Sequence, residues 1–63
     1  MFPEIGEVFD GTVSAVSQYG VFVDRPAGGT GLLFGETDQV GATVRVTVLA
    51  VDPERQRFSL ARA

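Results

Sequence analysis

The sequence contains no cysteine, no histidine and no lysine. Without cysteine there is neither a disulfide scaffold nor a thiolate metal site. Without histidine there are no imidazole bases, few zinc sites and no histidine-built triads. Without lysine, Schiff-base chemistry and a phosphate-loop lysine are excluded. No catalytic residue, metal or cofactor is assigned, and the chain reads as a binding module rather than an enzyme. Long apolar runs are also missing: none approaches 18 residues, and no basic stretch leads into an apolar one at the N-terminus. No membrane span or signal peptide is therefore read, and the expected compartment is the cytoplasm.

What is present fits one small folded domain over residues 1–63, with 44% apolar residues and a mean hydropathy of +0.19. Apolar burial of about 90 kcal/mol against about 95 kcal/mol of ordering entropy leaves such a chain near balance. Tight packing is needed, and a protein partner or homo-oligomer could contribute. Eight acids against five arginines give a net charge of −3, which limits any electrostatic grip on nucleic acid.

The pattern is β throughout. Val8 to Val16 is rich in β-branched residues, with Gly11 inside it as at a barrel corner. Tyr19 to Asp24 follows, with Val21 and Val23 on one face and Phe22 on the other. Pro26-Ala27-Gly28-Gly29 is turn chemistry, and Gly31 to Phe34 is a short third strand. Gly35 to Ala42 is a polar connection with room for at most one helical turn. Thr43 to Val48 alternates strictly, then slips phase through Leu49-Ala50-Val51 as a bulge would make it do. Asp52 to Gln56 is a turn, and Arg57 to Ala61 alternates again. Val13, Val21, Val23, Val44, Val46, Val48, Phe58 and Leu60 are the expected inward residues. Five short strands favour an all-β, five-stranded antiparallel OB-fold barrel. An SH3-like barrel is the rival on strand count, while an immunoglobulin-type sandwich needs more strands and residues.

A set of fragments in order carries a resemblance: Gly6-Glu7-Val8-Phe9-Asp10-Gly11-Thr12-Val13, Tyr19-Gly20-Val21-Phe22-Val23, Gly31-Leu32-Leu33, Val40-Gly41 leading to Val44 through Leu49, Val51-Asp52-Pro53-Glu54-Arg55 and Phe58-Ser59-Leu60. From Gly6 to Leu60 the chain resembles the S1 RNA-binding domain family, an OB-fold module. The resemblance implies single-stranded RNA binding on one barrel face. The family's two aromatic positions fall on Tyr19 and Phe22, and its Asp and Arg around the last hairpin on Asp52 and Arg57. Its usual histidine after the third strand is replaced by Phe34, and the connection that follows is shorter than the family's.

Each candidate also has a plainer reading. Tyr19 and Phe22 are expected to offer stacking surfaces, with barrel packing as the alternative. Phe34 is expected to pack beneath residues 35–42, with stacking as its alternative. Arg45 and Arg57 are expected outward on adjacent strands, able to meet phosphates or to pair with acids. Arg55 reads as a solvated turn residue, and Asp52 as the cap of its own Asp-Pro turn before it is an RNA contact. Gly28 to Gly31 is a glycine turn rather than a phosphate cradle, and Glu36 and Asp38 read as solvated acids. The leading function is a module that binds single-stranded RNA weakly, by stacking with a few arginine contacts. The alternative is a protein-docking OB barrel with little or no RNA binding.

Overall fold

The alternation of β-branched residues resolves into five strands: β1 (Val8–Ser17), β2 (Gly20–Asp24), β3 (Thr30–Phe34), β4 (Thr43–Asp52) and β5 (Arg57–Arg62). The computed structural model describes residues 3–63, among which no helix occurs, and so none long and apolar enough to cross a membrane. The strands close into a barrel in the order β1-β2-β3-β5-β4. Four of the pairings are antiparallel as expected, but β3 and β5 run parallel, with Gly31, Leu32 and Leu33 opposite Phe58, Ser59 and Leu60. An odd number of strands cannot alternate direction all the way round a closed ring. One parallel pair is the geometric consequence.

All eight residues expected inward are buried, and Leu33 joins them. Leu32 and Leu33 are both apolar, so alternation alone cannot say which one points in. The β2 register decides, because Leu33 stands opposite the inward Val21. Phe9 packs partly buried against this core, its ring edge-on to Phe58 with centroids 6.5 Å apart. The register shifts between Val48 and Ala50, where the phase slip places the bulge. A second shift lies between Val13 and Ala15, as β1 passes from β4 to β2. Gly11 sits just before that crossing: a Cβ there would overlap Val23 Cγ1 and come within 2.9 Å of the Asp24 carbonyl oxygen. Closure also gives each of the five strands a neighbour on both sides, so neither β1 nor β3 is left as an open edge strand.

The N-terminal end of β1 is fastened by an ion pair. Arg25 Nε donates to Glu7 Oε2 at 2.9 Å and Arg25 Nη2 to Glu7 Oε1 at 3.2 Å, a bidentate fork with the arginine side chain only 14% exposed. The hydrogen bond from Arg25 holds the Glu7 carboxyl below its ordinary value of 4.5. A depressed folded-state value means a stabilising contribution that is complete above the unfolded value and lost as pH falls through the folded one. Chemical denaturation of the parent and Glu7→Gln across pH should show this. The stability gap between them is expected to stay constant above the carboxylate range and to narrow as pH drops below 4.5. A gap independent of pH would disprove the linkage.

Candidate nucleic-acid interface

The outward residues of β2, β3, β5 and β4 form one continuous face. Its middle row is set by cross-strand register: Phe22 opposite Leu32, Leu32 opposite Ser59, Ser59 opposite Ala50. Phe34 stands at one end of the face, opposite Gly20 of β2. Tyr19 immediately precedes Gly20 in a turn held by Ser17, whose hydroxyl oxygen accepts from Tyr19 N at 3.2 Å and donates to the Gly20 carbonyl at 3.2 Å. The Tyr19 carbonyl in turn accepts from Gly35 N at 3.0 Å, which ties the two aromatic positions together through the backbone. At the other end, Arg57 stands opposite Asp52 across the β4–β5 ladder.

Between these ends lies a groove of about 200 Å³ with Leu32, Ala50 and Ser59 along its middle. Phe34 lines it on one side and Asp52, Arg55 and Arg57 on the other. Tyr19 and Phe34 are 62% and 58% exposed, and Phe22 is half-buried beside Leu32. The burial expected for Phe34 beneath residues 35–42 does not occur. None of residues 35–42 lines the groove. Arg62, at the end of β5, meets two acids of that connection, Arg62 Nε with Glu36 Oε1 at 3.0 Å and Arg62 Nη2 with Asp38 Oδ2 at 3.5 Å. Glu36 and Asp38 are thus ion-paired rather than simply solvated. The hydrogen bond to Glu36 pushes Arg62 above its already high ordinary value.

Of the two readings for Arg45, the structure carries the pairing with an acid. Arg45 is outward on β4, but toward the opposite end of the ladder from Arg57, and its Nε binds Asp10 Oδ1 at 3.2 Å. Antiparallel β4 and β5 carry the two arginines in opposite directions, so adjacent strands do not bring them together. Asp52 caps its turn as expected, accepting from Arg55 N at 3.4 Å, and its other oxygen lies 3.8 Å from Arg55 Nε. Arg55 therefore belongs to the groove, which the sequence reading missed. Its signal was the Asp-Pro turn itself, since a capped turn folds the third residue after Asp52 back toward the strand. Among the described residues, Arg57 has no acidic side chain within 4.0 Å, whereas Arg25, Arg45 and Arg55 each have one and Arg62 has two. No cluster of three or more metal-binding side chains exists among the described residues.

Comparison with known proteins agrees with this architecture. Residues 3–34 match the model of the S1 RNA binding domain. The chain is 37% identical over 95% of its length to a polyribonucleotide nucleotidyltransferase of Parabacteroides distasonis, of which it spans 10%. Among solved structures it superposes on GSP13 from Bacillus subtilis with a TM-score of 0.83 and 33% identity, covering 97% of this chain and 56% of that one. It also superposes on an uncharacterized protein from Methanocaldococcus jannaschii with a TM-score of 0.86 and 24% identity, over 100% and 96% of the two chains. The last likeness concerns the fold alone. With half of its length matching the family model and the barrel carrying the aromatic face of the sequence resemblance, the chain belongs to the S1 RNA binding domain family.

Proposed function

We propose that the chain is one RNA-binding module, gripping a short stretch of single-stranded RNA weakly on the face between Tyr19 and Arg57. The observation that carries this reading is the pairing pattern of the cations. Four arginines have an acid within 4.0 Å, and Arg57 alone among the described ones has none; it lines the groove whose far side carries the exposed ring of Phe34, while Tyr19 and Phe22 lie outside the groove lining on the same face. Bases stack on Tyr19, Phe22 and Phe34, and the phosphates that follow them meet Arg57 and, once it leaves Asp52, Arg55. Arg45 takes no part, because Asp10 holds it away from the groove. Asp52 serves first as the turn cap. The family's name and the polyribonucleotide nucleotidyltransferase relative support RNA as the ligand class. A role in handling RNA also fits the cytoplasmic setting expected from the sequence.

One or two phosphate contacts imply a shallow salt dependence. Single strands lose affinity with a slope of about −0.7 per contact, so log affinity should fall by roughly 0.7 to 1.4 per decade of salt. Anisotropy titrations of a labelled pentanucleotide at several salt concentrations measure this directly. Arg57→Ala is expected to flatten the slope by about 0.7. Arg45→Ala should leave it unchanged. No binding of RNA at low salt would reject the reading and transfer the groove to a docked protein segment.

A further inference from the structure

We infer that the base seated at the Arg57 end of the groove is preferentially guanine, read by the carboxylate of Asp52; this rests on the RNA-binding reading above. Asp52 is the one carboxylate among the residues lining the groove. A negative charge in a site for a polyanion repels every phosphate that approaches it. It is compatible with RNA where it meets donors, on a base edge or on a ribose 2′-hydroxyl, and two adjacent donors on a base edge satisfy both of its oxygens. Its tasks within the fold use little of its capacity: one oxygen accepts a long bond from Arg55 N at 3.4 Å, and the other lies 3.8 Å from Arg55 Nε. An ionised carboxylate accepts at about four lone-pair sites, so both oxygens of this groove-lining residue keep unused acceptor capacity.

The base edges differ in what they offer such a group. Guanine presents two adjacent donors, N1–H and the N2 amino group, matched in spacing to the two oxygens of a carboxylate. Adenine and cytosine present one amino donor beside an acceptor nitrogen. Uracil presents one N–H between two carbonyl oxygens, which face a carboxylate unfavourably. The remaining lining allows little competing readout. Leu32 and Ala50 are apolar, Ser59 offers a hydroxyl that accepts or donates equally well, and the two arginines are the phosphate contacts. The groove, at about 200 Å³, is smaller than the roughly 300–1,000 Å³ of clefts for drug-sized ligands and suits a single flat group. Asp52 is therefore a base-reading residue as well as a turn cap.

The test uses the whole chain and four labelled pentanucleotides: all uridine, and uridine with a central guanosine, inosine or 2′-deoxyguanosine. Central guanosine is expected to bind about tenfold more tightly than all-uridine, within the range of a bidentate base contact. Inosine lacks the N2 amino group and should lose most of that gain, while 2′-deoxyguanosine should keep it. Asp52→Asn retains an oxygen to cap the turn but has one acceptor in place of two. It should reduce the guanosine preference to less than about twofold, while all-uridine binding stays equal or tightens as the repulsion is removed. A merely structural role would weaken all four ligands together and so overturn the proposal. Equal binding of guanosine and uridine RNAs by the parent would overturn it while leaving RNA binding intact. Loss of the preference with 2′-deoxyguanosine would assign Asp52 to the ribose instead and overturn it too. Failure of every RNA to bind would remove both this inference and the reading beneath it.

Discussion

Replacing Gly20 with alanine is expected to remove most of the chain's stability. Gly20 opens β2 with a φ of +151°, a conformation that side chains rarely adopt. A Cβ there would overlap the Leu33 carbonyl oxygen and lie 2.9 Å from the Leu33 carbonyl carbon, both backbone atoms that cannot swing aside. Backbone strain of about 1–3 kcal/mol adds to an overpacking cost of about 1–3 kcal/mol. A domain of this size has a total stability of only about 3–9 kcal/mol. The clash also falls on the rung that pairs Gly20 with Phe34, between the two exposed aromatic positions. Gly28→Ala separates the two costs, because Gly28 has a φ of +115° but nothing within 4 Å of its added Cβ. Urea denaturation should therefore show a modest loss for Gly28→Ala and a missing or very early transition for Gly20→Ala. Equal midpoints for the two variants would mean that the close approach to Leu33 costs nothing.

The second large effect is on binding. Tyr19→Ala combined with Phe34→Ala should weaken RNA binding by about 30-fold or more, since base stacking on an aromatic contributes about 1–3 kcal/mol per base. Both rings are more than half exposed, so their removal should change stability by only about 0.5 kcal/mol. The salt slope should not move, because no cation is lost. Phe22→Ala should also weaken binding, but Phe22 is half-buried against its neighbours, and Phe22→Leu is the variant that keeps the packing while removing the ring. Arg57→Ala should show the reverse pattern, with a smaller loss of affinity and a flatter slope. A doubly substituted protein that is folded and binds like the parent would mean that stacking on these rings is not how RNA is held.

The barrel was legible because its signals are local. Strict alternation in Thr43 to Val48 and in Arg57 to Leu60 assigns the faces of β4 and β5 without any knowledge of their neighbours, and the valines of β2 do the same. The phase slip after Val48 could be read as a bulge for the same reason. Leu32-Leu33 gave no such signal, and the second shift in β1 gave none either. Both are fixed by which strand lies alongside.

The aromatic half of the candidate site was legible through the family resemblance, whose two aromatic positions fall on Tyr19 and Phe22, and through the alternation that turns Phe22 outward; the pairing of the charged half was not. Which arginines remain available to a ligand depends on pairs separated by long stretches of chain: Arg25 with Glu7, Arg45 with Asp10, Arg62 with Glu36 and Asp38. A sequence displays eight acids and five arginines without saying which of them meet. Five short strands, turn residues at the right intervals and an inward valine set were determined by the sequence itself, because side-chain period and turn chemistry act over a few residues. Barrel closure decided the rest. It made β3 and β5 parallel, set Glu36 and Asp38 against Arg62, left Phe34 exposed and left Arg57 without an acid partner among the described residues, since charge pairing and strand neighbours are set only when distant segments come together.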